Sequence, residues 1–281
     1  MINGKTKTVC LLGSPVEHSF SPMMHNASFR KLKINAKYLA FDVHPNSIKH
    51  AVEGVRAFGF LGGNVTIPHK EAVMQYLDEI DPKAMRIGAV NTIVNEDGIL
   101  KGYNTDVDGF IESFKTFQYD LKNKKIAILG TGGASKAVVV GLLHECVDEV
   151  HVFSRSIDKS TSFCCAIDEN LKAMTYDQMD SKFPYDIVVN TTPVGMHPNE
   201  GKSVIDVTAL GHAETIFYDL IYNPLETEFL RQGRVSGRRT LNGLDMLIYQ
   251  GIYALRYWID FDHEQWTRND VIEVLKASNI I

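Results

Sequence analysis

Short apolar runs alternate with amphipathic stretches along the first part of the chain. The run Val9 to Leu12 predicts a strand, and the stretch Pro22 to Lys33 predicts a helix with one apolar face. A second strand near Tyr38 to Phe41 and a second helix near Ser47 to Phe58 repeat this order. The alternation favours an α/β fold, in which helices cover a mainly parallel sheet.

Further elements complete a first domain, which we expect to span residues 1–108. In chain order, the pattern predicts a strand near Gly63 to Thr66, a helix after Pro68, strands near Ala89 to Val94 and Ile99 to Gly102, and a helix from about Asp106 to Phe117. The turn residues Glu96, Asp97 and Gly98 separate the last two strands. We expect the chain to pass into a second domain within the helix that follows them.

The alternating pattern resumes in residues 109–244, which we expect to form that second domain. The predicted strands are Ile126 to Leu129, Glu149 to Phe153, Asp186 to Asn190 and Thr215 to Ile221, with helical stretches between them. Residues 245–281 carry helical patterns only, at Leu244 to Ile259 and Thr267 to Ala277. Because no strand lies between or after these two helices, we expect them to pack back on the first domain.

Composition excludes several classes of protein. A net charge of -5 with a pI near 6.1 gives no basic surface for nucleic acid. The longest purely apolar run, about Ala137 to Leu143, is far shorter than a membrane span. The N-terminus, with Lys5 and Lys7 before a short strand, lacks the apolar core of a signal peptide. We therefore expect a cytoplasmic protein without membrane or nucleic-acid partners.

The four cysteines do not indicate a disulfide framework or a metal site. Cys10, Cys146, Cys164 and Cys165 show no CxxC spacing, and two of them are adjacent. The sequence predicts reduced, structural thiols and no bound metal.

A glycine loop lies between a predicted strand and an apolar helix. Gly130, Gly132 and Gly133 leave bare backbone that can approach a pyrophosphate, and the N–H groups of the helix can bind it. Ser135 stands at the last position of the GxGxxG pattern, and such a loop alone is weak support because glycines also serve ordinary turns. The order of strand, loop and helix nevertheless predicts a Rossmann-like dinucleotide domain.

The residues at the end of the next strand indicate whether the cofactor is NAD or NADP. A site for NAD usually places Asp or Glu there to bind the ribose hydroxyls. This chain has Ser154, Arg155 and Ser156 instead, with Lys159 close by. Hydroxyl and cationic donors suit the extra phosphate of NADP, although an exposed polar loop with an incidental arginine is the alternative. The sequence predicts NADP as the cofactor.

Three polar clusters in the first domain could carry chemistry. In the first, Ser19 and Ser21 alternate, so that both hydroxyls could bind a carboxylate, but Ser21 before Pro22 would also serve as a helix cap. The second cluster, at the end of a predicted strand, comprises Asn64, Thr66 and Lys70. The third comprises Asn91 and Thr92 after one predicted strand together with Asn104, Thr105 and Asp106 after the next. In open parallel sheets, ligand-binding sites lie outside the carboxyl ends of the strands. Solvated lysines and ordinary turn residues are the alternative.

Nearly the whole chain resembles the shikimate dehydrogenase family. The motifs that carry the resemblance are, in family order, SFSP (Ser19 to Pro22), GNVTIPHK (Gly63 to Lys70), GAVNT (Gly88 to Thr92), GYNTD (Gly102 to Asp106), GTGGAS (Gly130 to Ser135), TTPVGM (Thr191 to Met196), YDLIYNP (Tyr218 to Pro224) and NGLDMLIYQG (Asn242 to Gly251). Several ordered motifs are far more specific than any one of them.

The resemblance implies a role for each matching residue. Lys70 and Asp106 would be the catalytic pair, and the side chains that bind the substrate would be Ser19, Ser21, Thr66, Asn91, Asp106, Tyr222 and Gln250. The contacts with NADP would be Gly130, Thr131, Gly132, Gly133, Ala134, Ser154, Arg155, Ser156, Lys159, Leu220 and Gly243. The family usually has Asn-Arg-Thr where this chain has Ser154, Arg155 and Ser156, so the arginine is kept while its neighbours differ.

The implied activity is the reversible, NADPH-dependent reduction of 3-dehydroshikimate to shikimate in the biosynthesis of aromatic amino acids. Lys70 would act either as the acid and base or as an electrostatic stabiliser, and the sequence leaves both open. A quinate or dual quinate/shikimate dehydrogenase using NAD(P) is the alternative, and a non-catalytic sensor of NADP and a metabolite is a more remote one. We expect a monomer or a homodimer.

Overall fold

The chain folds into two compact units, each built around its own sheet. The computed structural model describes residues 2–281. Unit 1 comprises the chain up to Gly109 together with Ile248–Ile281, and unit 2 comprises Phe110–Leu247. The two changes of unit fall within helices α4 (Asp106–Thr116) and α8 (Leu244–Trp258). The domain boundaries predicted after residues 108 and 244 lie in the same two regions of the chain.

The described residues of unit 1 form six strands and four helices that belong to this unit alone. The strands are β1 (Lys7–Gly13), β2 (Ala36–Asp42), β3 (Gly62–Val65), β4 (Glu79–Ile80), β5 (Thr92–Glu96) and β6 (Ile99–Tyr103). The helices are α1 (Ser21–Lys31), α2 (Ile48–Ala57), α3 (Pro82–Ile87) and α9 (Arg268–Ala277). Short 3-10 segments lie at Pro45–Ser47, Ala72–Tyr76 and His263–Gln265.

The sheet of unit 1 has the order β2-β1-β3-β5-β6-β4. β1 is parallel to β2 and β3, and β4 is parallel to β6, but β5 is antiparallel to both of its neighbours. The start of β5 therefore lies beside the end of β3, where Asn64 pairs with Thr92. The expectation that Asn91 and Thr92 follow a strand was wrong, since Asn91 precedes β5 and Thr92 opens it. An antiparallel strand brings its first residues to the edge where its neighbours end.

Two glycines let β3 run close to its neighbours. A Cβ atom on Gly62, whose φ is +150°, would lie 2.0 Å from the carbonyl oxygen of Ile93. A Cβ on Gly63 would lie 2.4 Å from Sγ of Cys10. Neither space admits a side chain, so this strand holds Asn64 at a fixed depth between β1 and β5.

The helix predicted after Pro68 is only the short 3-10 segment Ala72–Tyr76. The chain leaves it at Leu77 in an extended conformation, because it next forms β4 beside β6. Asp81 then caps α3, and its Oδ1 accepts hydrogen bonds from the N–H groups of Lys83 and Ala84. Neither β4 nor α3 was predicted, since both are short and depend on pairing and capping rather than on an apolar pattern.

Unit 2 begins with alternating strands and helices, but no helix of the described residues lies between the strands Ile187–Asn190 and Ile216–Asp219, so the expectation of a helical stretch there was wrong. Its elements are β7 (Lys125–Leu129), α5 (Gly133–His144), β8 (Glu149–Ser154), α6 (Ile157–Ile167), β9 (Lys172–Thr175), β10 (Ile187–Asn190), β11 (Ile216–Asp219), α7 (Glu228–Val235) and β12 (Arg239–Leu241), with a 3-10 segment at Tyr176–Gln178. All neighbouring strands are parallel, in the order β12-β11-β10-β7-β8-β9. The predicted α/β class with mainly parallel sheets is confirmed.

The strand order of unit 2 reverses direction at β7. From β7 the chain first moves outward through β8 and β9, and then returns to the other side of β7 with β10, β11 and β12. Open parallel sheets bind ligands outside the carboxyl ends of their strands at such a reversal. The glycine loop follows β7 directly and so lies at this position. Among residues 2–281, no helix combines the length and apolar character needed to cross a membrane.

Candidate active site

A buried ion pair lies at the edge of the sheet in unit 1. Nζ of Lys70 is 2.7 Å from Oδ2 of Asp106, and their side chains are 17% and 7% exposed. The carbonyl of Lys70 accepts a hydrogen bond from the N–H of Val90, which fixes the backbone beside the lysine. Asp106 is the first residue of α4. A lysine on the surface would be solvated, whereas Lys70 is mostly buried and paired with a carboxylate. The structure therefore does not support the alternative that Lys70 is an ordinary surface lysine.

The second carboxylate oxygen of Asp106 is held by an amide. Nδ2 of Asn91 donates to Oδ1 of Asp106 at 2.8 Å, and the N–H of Thr105 donates to Oδ1 of Asn91 at 2.8 Å. The N–H of Asp106 itself donates to the side chain of Asn104. Both carboxylate oxygens therefore have donors, and the rotamer that faces Lys70 is fixed from two sides.

Helix α8 contributes a polar side chain to the same cluster. Oε1 of Gln250 lies 3.5 Å from Nδ2 of Asn91, at the limit of a hydrogen bond. The structure thus brings together four residues that are widely spaced in the sequence, namely Lys70, Asn91, Asp106 and Gln250. Together they offer one cation, one anion and two amides at a single point, a combination that could bind and protonate oxygen substituents of a small molecule.

Thr66 is the first residue after β3, four residues before Lys70, and it is partly exposed. Its N–H donates to the carbonyl of Leu12, so the chain stays beside β1 after the strand has ended. A Cβ atom on Gly13 would lie 2.2 Å from Cγ2 of Thr66. The glycine at the end of β1 therefore makes the room in which Thr66 lies.

Ser19 and Ser21 lie at the start of α1, but neither serves as its N-cap residue. Phe20 holds that position, and its side chain makes no capping bond. Ser21 is the first residue of the helix and is buried, and its N–H donates to Oγ of Ser19 at 3.3 Å. The suggestion that Ser21 is the cap was therefore wrong, while the hydroxyl of Ser19 does accept from one N–H of the first turn.

Two functional candidates escaped the sequence analysis because they occupy positions that look like ordinary core. Tyr38 on β2 is 1% exposed, and its hydroxyl donates to Oδ1 of Asn64 at 2.7 Å. Burial raises the pKa of the Tyr38 phenol well above its usual range, so this hydroxyl keeps its proton. The ring of His25 on α1 stacks on Tyr38 at 4.5 Å, and burial lowers the pKa of His25 to about 3. Both rings are therefore neutral at physiological pH.

In unit 2, the glycine loop has the shape that a dinucleotide requires. Gly130 has a φ of +115°, and a Cβ there would lie 2.7 Å from Oγ1 of Thr191. By contrast, apart from neighbouring residues of the chain, no atom of the described residues lies within 4 Å of a Cβ placed on Gly132, so the backbone before α5 faces open space. Helix α5, which has twelve residues, begins directly after this loop at Gly133. These observations fit a pyrophosphate bound by backbone N–H groups, with Thr131 and Ala134 on either side.

The predicted NADP determinants begin with the last residue of β8, the strand next to β7, and continue into the loop after it. The N–H of Gly130 donates to the carbonyl of Phe153, so the glycine loop and the end of β8 are direct neighbours. Arg155 and Lys159 are exposed there and Ser156 is half-buried. Ser154 is buried, and its hydroxyl donates to the carbonyl of Ser156 at 2.6 Å. Ser154 thus shapes the turn, and its contact with a phosphate stays a prediction.

Leu220 and Gly243 meet after β11. A Cβ atom on Gly243 would lie 1.9 Å from the carbonyl oxygen of Leu220, and the N–H of Gly243 donates to the carbonyl of Ile221. Only glycine allows this contact between two backbones. Tyr222 follows in the same segment, and burial raises the pKa of its phenol. Its hydroxyl is therefore a neutral donor in unit 2, whereas the other predicted substrate residues belong to unit 1.

Models of two protein families match the chain. Residues 11–93 match the shikimate dehydrogenase substrate binding domain, and residues 112–221 match shikimate / quinate 5-dehydrogenase. The first of these ranges lies within unit 1 and the second within unit 2.

Curated proteins and solved structures are also similar over almost the full length. Shikimate dehydrogenase (NADP(+)) of Caldanaerobacter subterraneus subsp. tengcongensis is 46% identical over 92% of this chain and 93% of its own. A shikimate dehydrogenase crystallised with NADP+ has 40% identity, a TM-score of 0.87 and 97% coverage of both chains. The enzyme of Thermus thermophilus with NADP(H) and shikimate has 32% identity and a TM-score of 0.87, over 97% of this chain and 100% of that one.

Proposed function

Because the chain belongs to the shikimate dehydrogenase family, we propose that it reversibly reduces 3-dehydroshikimate to shikimate with NADPH. The family resemblance predicted from the sequence motifs is confirmed. The observation that supports this activity is the buried ion pair of Lys70 and Asp106. The pair lies in unit 1, which contains the match to the shikimate dehydrogenase substrate binding domain. The reaction would supply a precursor of the aromatic amino acids.

The charge of Lys70 suits the reduction of a ketone. When bound, NADPH supplies the hydride, and negative charge then develops on the ketone oxygen. An ammonium has three N–H donors, so the bond to Asp106 leaves donors for that oxygen. Lys70 would stabilise the charge and pass a proton to the oxygen, and Asp106 would keep the lysine charged and oriented. In the reverse direction the neutral amine of Lys70 would take the proton from the hydroxyl.

We assign the remaining residues to binding and orientation. Ser19 and Ser21 would bind the ring carboxylate, and the side chains around the ring hydroxyls would be those of Thr66, Asn91, Tyr222 and Gln250. The loop from Gly130 to Ala134 would bind the pyrophosphate of NADP, and Arg155, Ser156 and Lys159 its extra phosphate. The open backbone at Gly132 and the exposed guanidinium of Arg155 support this division.

The Ser19→Ala variant should act on substrate binding. The loss of a hydrogen bond to a charged group costs about 1.5–3 kcal/mol, so KM for shikimate should rise roughly 10- to 100-fold. The carboxylate is bound in both the ground state and the transition state, so kcat should stay close to that of the unmodified protein. Steady-state kinetics measure both constants. The control is Ser47→Ala, which removes an exposed serine without a capping bond. A fall in kcat with unchanged KM would contradict the carboxylate assignment.

The Arg155→Ala variant should weaken NADP+ selectively. A charge-assisted contact with the extra phosphate is worth about 1.5–3 kcal/mol, so Kd for NADP+ should rise roughly tenfold or more, while Kd for NAD+ should not change. Calorimetric titration with each nucleotide measures both values. Arg231→Ala removes an exposed arginine of the same unit that is paired with Glu228, and it serves as the control. Equal losses for both nucleotides would make Arg155 an incidental loop residue.

The main alternative is a quinate or dual quinate/shikimate dehydrogenase, and the description of the second family model names both substrates. Incubation with NADPH and either 3-dehydroshikimate or 3-dehydroquinate separates the two, with the product identified by mass spectrometry. Shikimate as the only product supports the proposal, and quinate in comparable yield supports the dual enzyme. No oxidation of NADPH with either ketone would favour a sensor of NADP and a metabolite.

We also propose that the protein acts in the cytoplasm on small molecules, as a monomer or a homodimer. The four free thiols, Cys10, Cys146, Cys164 and Cys165, support a reducing compartment.

A further inference from the structure

A continuous series of hydrogen bonds crosses the sheet of unit 1 and ends on the Asp106 carboxylate. The bonds are, in order, Tyr38 hydroxyl to Asn64 Oδ1 at 2.7 Å, Asn64 Nδ2 to Thr92 Oγ1 at 3.2 Å, Thr92 Oγ1 to Asn91 Oδ1 at 2.9 Å, and Asn91 Nδ2 to Asp106 Oδ1 at 2.8 Å. We call these five residues the Tyr38–Asp106 series. Lys70 then donates to the other oxygen of the same carboxylate.

Backbone groups fix the direction of both amides in the series. The carbonyl of Asn91 can only accept, and Nδ2 of Asn64 lies 3.1 Å from it, so this side of the Asn64 amide is the donor. The N–H of Thr105 can only donate, and it lies 2.8 Å from Oδ1 of Asn91. The orientation of each amide therefore follows from a partner whose role cannot change.

The Thr92 hydroxyl has one arrangement that satisfies its neighbours. It faces a donor, Nδ2 of Asn64, and an acceptor, Oδ1 of Asn91, so it must accept from the first and donate to the second. The hydroxyl of Thr105 is 3.5 Å away, which is a weaker contact. Every donor of the Tyr38–Asp106 series then points towards the carboxylate, and the Thr92 hydroxyl links the two amide side chains.

All five residues of the Tyr38–Asp106 series are buried, so the loss of one of their hydrogen bonds would be costly. Thr92 is 0% exposed and Asn91 is 2% exposed. Water cannot replace the Thr92 hydroxyl at such a position. Without it, the amides of Asn64 and Asn91 would each keep a backbone partner but lose a second one, and they would shift from their present positions. A change in the orientation of the Asn91 amide would also change the orientation of the Asp106 carboxylate, because Nδ2 of Asn91 donates to it.

We infer that Thr92 is a positioning residue for the reduction, acting through Asn91 to hold the Asp106 carboxylate towards Lys70. This inference rests on the proposed function. Thr92 is separated from the Lys70–Asp106 pair by Asn91, and its main effect is on the geometry of the pair. Because Asn91 is also assigned to the ring hydroxyls, substrate affinity should change as well, but less than the rate. A displacement of about 1 Å in such a group can cost up to roughly 10²-fold in rate.

The test compares Thr92→Val and Thr92→Ser in the full-length protein, by the reduction of 3-dehydroshikimate. Valine keeps the shape and removes the hydroxyl, so kcat should fall about 10- to 100-fold while KM for 3-dehydroshikimate changes far less. The primary isotope effect on kcat with deuterated NADPH should rise, because hydride transfer becomes slower relative to product release. Serine keeps the hydroxyl and should restore kcat.

Ser28→Ala is the matched control for the loss of a buried hydroxyl. Ser28 is 0% exposed in the same unit, and its hydroxyl donates to the carbonyl of His25 within α1. This variant should lower the melting temperature without changing kcat or the isotope effect. If Thr92→Val does not fold, Thr92→Ala removes the same hydroxyl without placing a methyl group between the amides, and the same kinetic changes are expected.

Two results would overturn the inference. The first is a kcat for Thr92→Val, or for Thr92→Ala in its place, that equals that of the unmodified protein. The second is a loss in Thr92→Ser as large as that in Thr92→Val, since the hydroxyl would then not be the cause. If the unmodified protein turns over 3-dehydroshikimate in the same assay, either result affects Thr92 alone. No turnover by the unmodified protein would overturn the proposed function and this inference together.

Discussion

Lys70→Ala should lower kcat by about 10²–10⁴-fold, the usual contribution of a positioned acid–base group. The ammonium of Lys70 lies 2.7 Å from Asp106 at a mostly buried position, and it is the one cation in the cluster of Lys70, Asn91, Asp106 and Gln250. The carboxylate of the substrate should still be bound by the serines at the start of α1. KM should therefore change far less than kcat, and initial rates at varied 3-dehydroshikimate and saturating NADPH measure both.

Lys83→Ala is the control for this variant. Nζ of Lys83 lies 2.8 Å from Oδ1 of Asp108, so this is another ion pair of similar length in the same unit, with both side chains 34% exposed. Its loss should leave kcat unchanged, because exposed pairs contribute little and Lys83 has no proposed contact with substrate. Near-normal turnover in Lys70→Ala would remove Lys70 from the mechanism.

Asp106→Asn should lower kcat by about 10²–10³-fold, as the loss of a group that stabilises transition-state charge does. The change keeps the size of the side chain and one oxygen, so the bond from Asn91 can persist. The other position would become an amide nitrogen that faces the ammonium of Lys70, and two donors cannot bond to each other. Lys70 would lose the partner that keeps it charged and oriented. Steady-state kinetics measure kcat, and Asp108→Asn is the control.

The double variant Lys70→Ala/Asp106→Asn tests whether the two residues act as one unit. If Asp106 acts through Lys70, the double variant should lose little more activity than Lys70→Ala alone, since residues of one catalytic unit are strongly non-additive. Independent roles would instead multiply the two losses. That outcome would assign Asp106 a direct contact with the substrate, separate from the lysine.

The ion pair could be predicted only in part from the sequence. Lys70 and Asp106 were identified through motifs, and physical reasoning alone left Lys70 an ordinary surface residue, because a lysine near a helix start carries no pattern of its own. What joins the two is the antiparallel strand β5, which places Asn91 beside the end of β3. Strand direction is a property of the whole sheet and is not encoded in the alternation of apolar residues.

Tyr38 and Thr92 show a different limit. Both occupy strand positions in which tyrosine and threonine are common for reasons of strand propensity alone. They lie 26 and 28 residues from Asn64 in the sequence, and they reach it only once the strands have paired. A local pattern contains no signal for such a bond, whereas the glycine loop of unit 2 was predictable because strand, loop and helix are consecutive.

The measurement that tests the account most directly is a comparison of kcat/KM for four mixtures of purified protein, shikimate or quinate with NADP+ or NAD+, followed by nicotinamide absorbance. We expect efficient turnover with shikimate and NADP+, and values at least about tenfold lower when NAD+ replaces NADP+, in line with one lost charge-assisted contact. Comparable turnover of quinate would place the chain among the dual enzymes. No turnover in any mixture would contradict the proposed function itself.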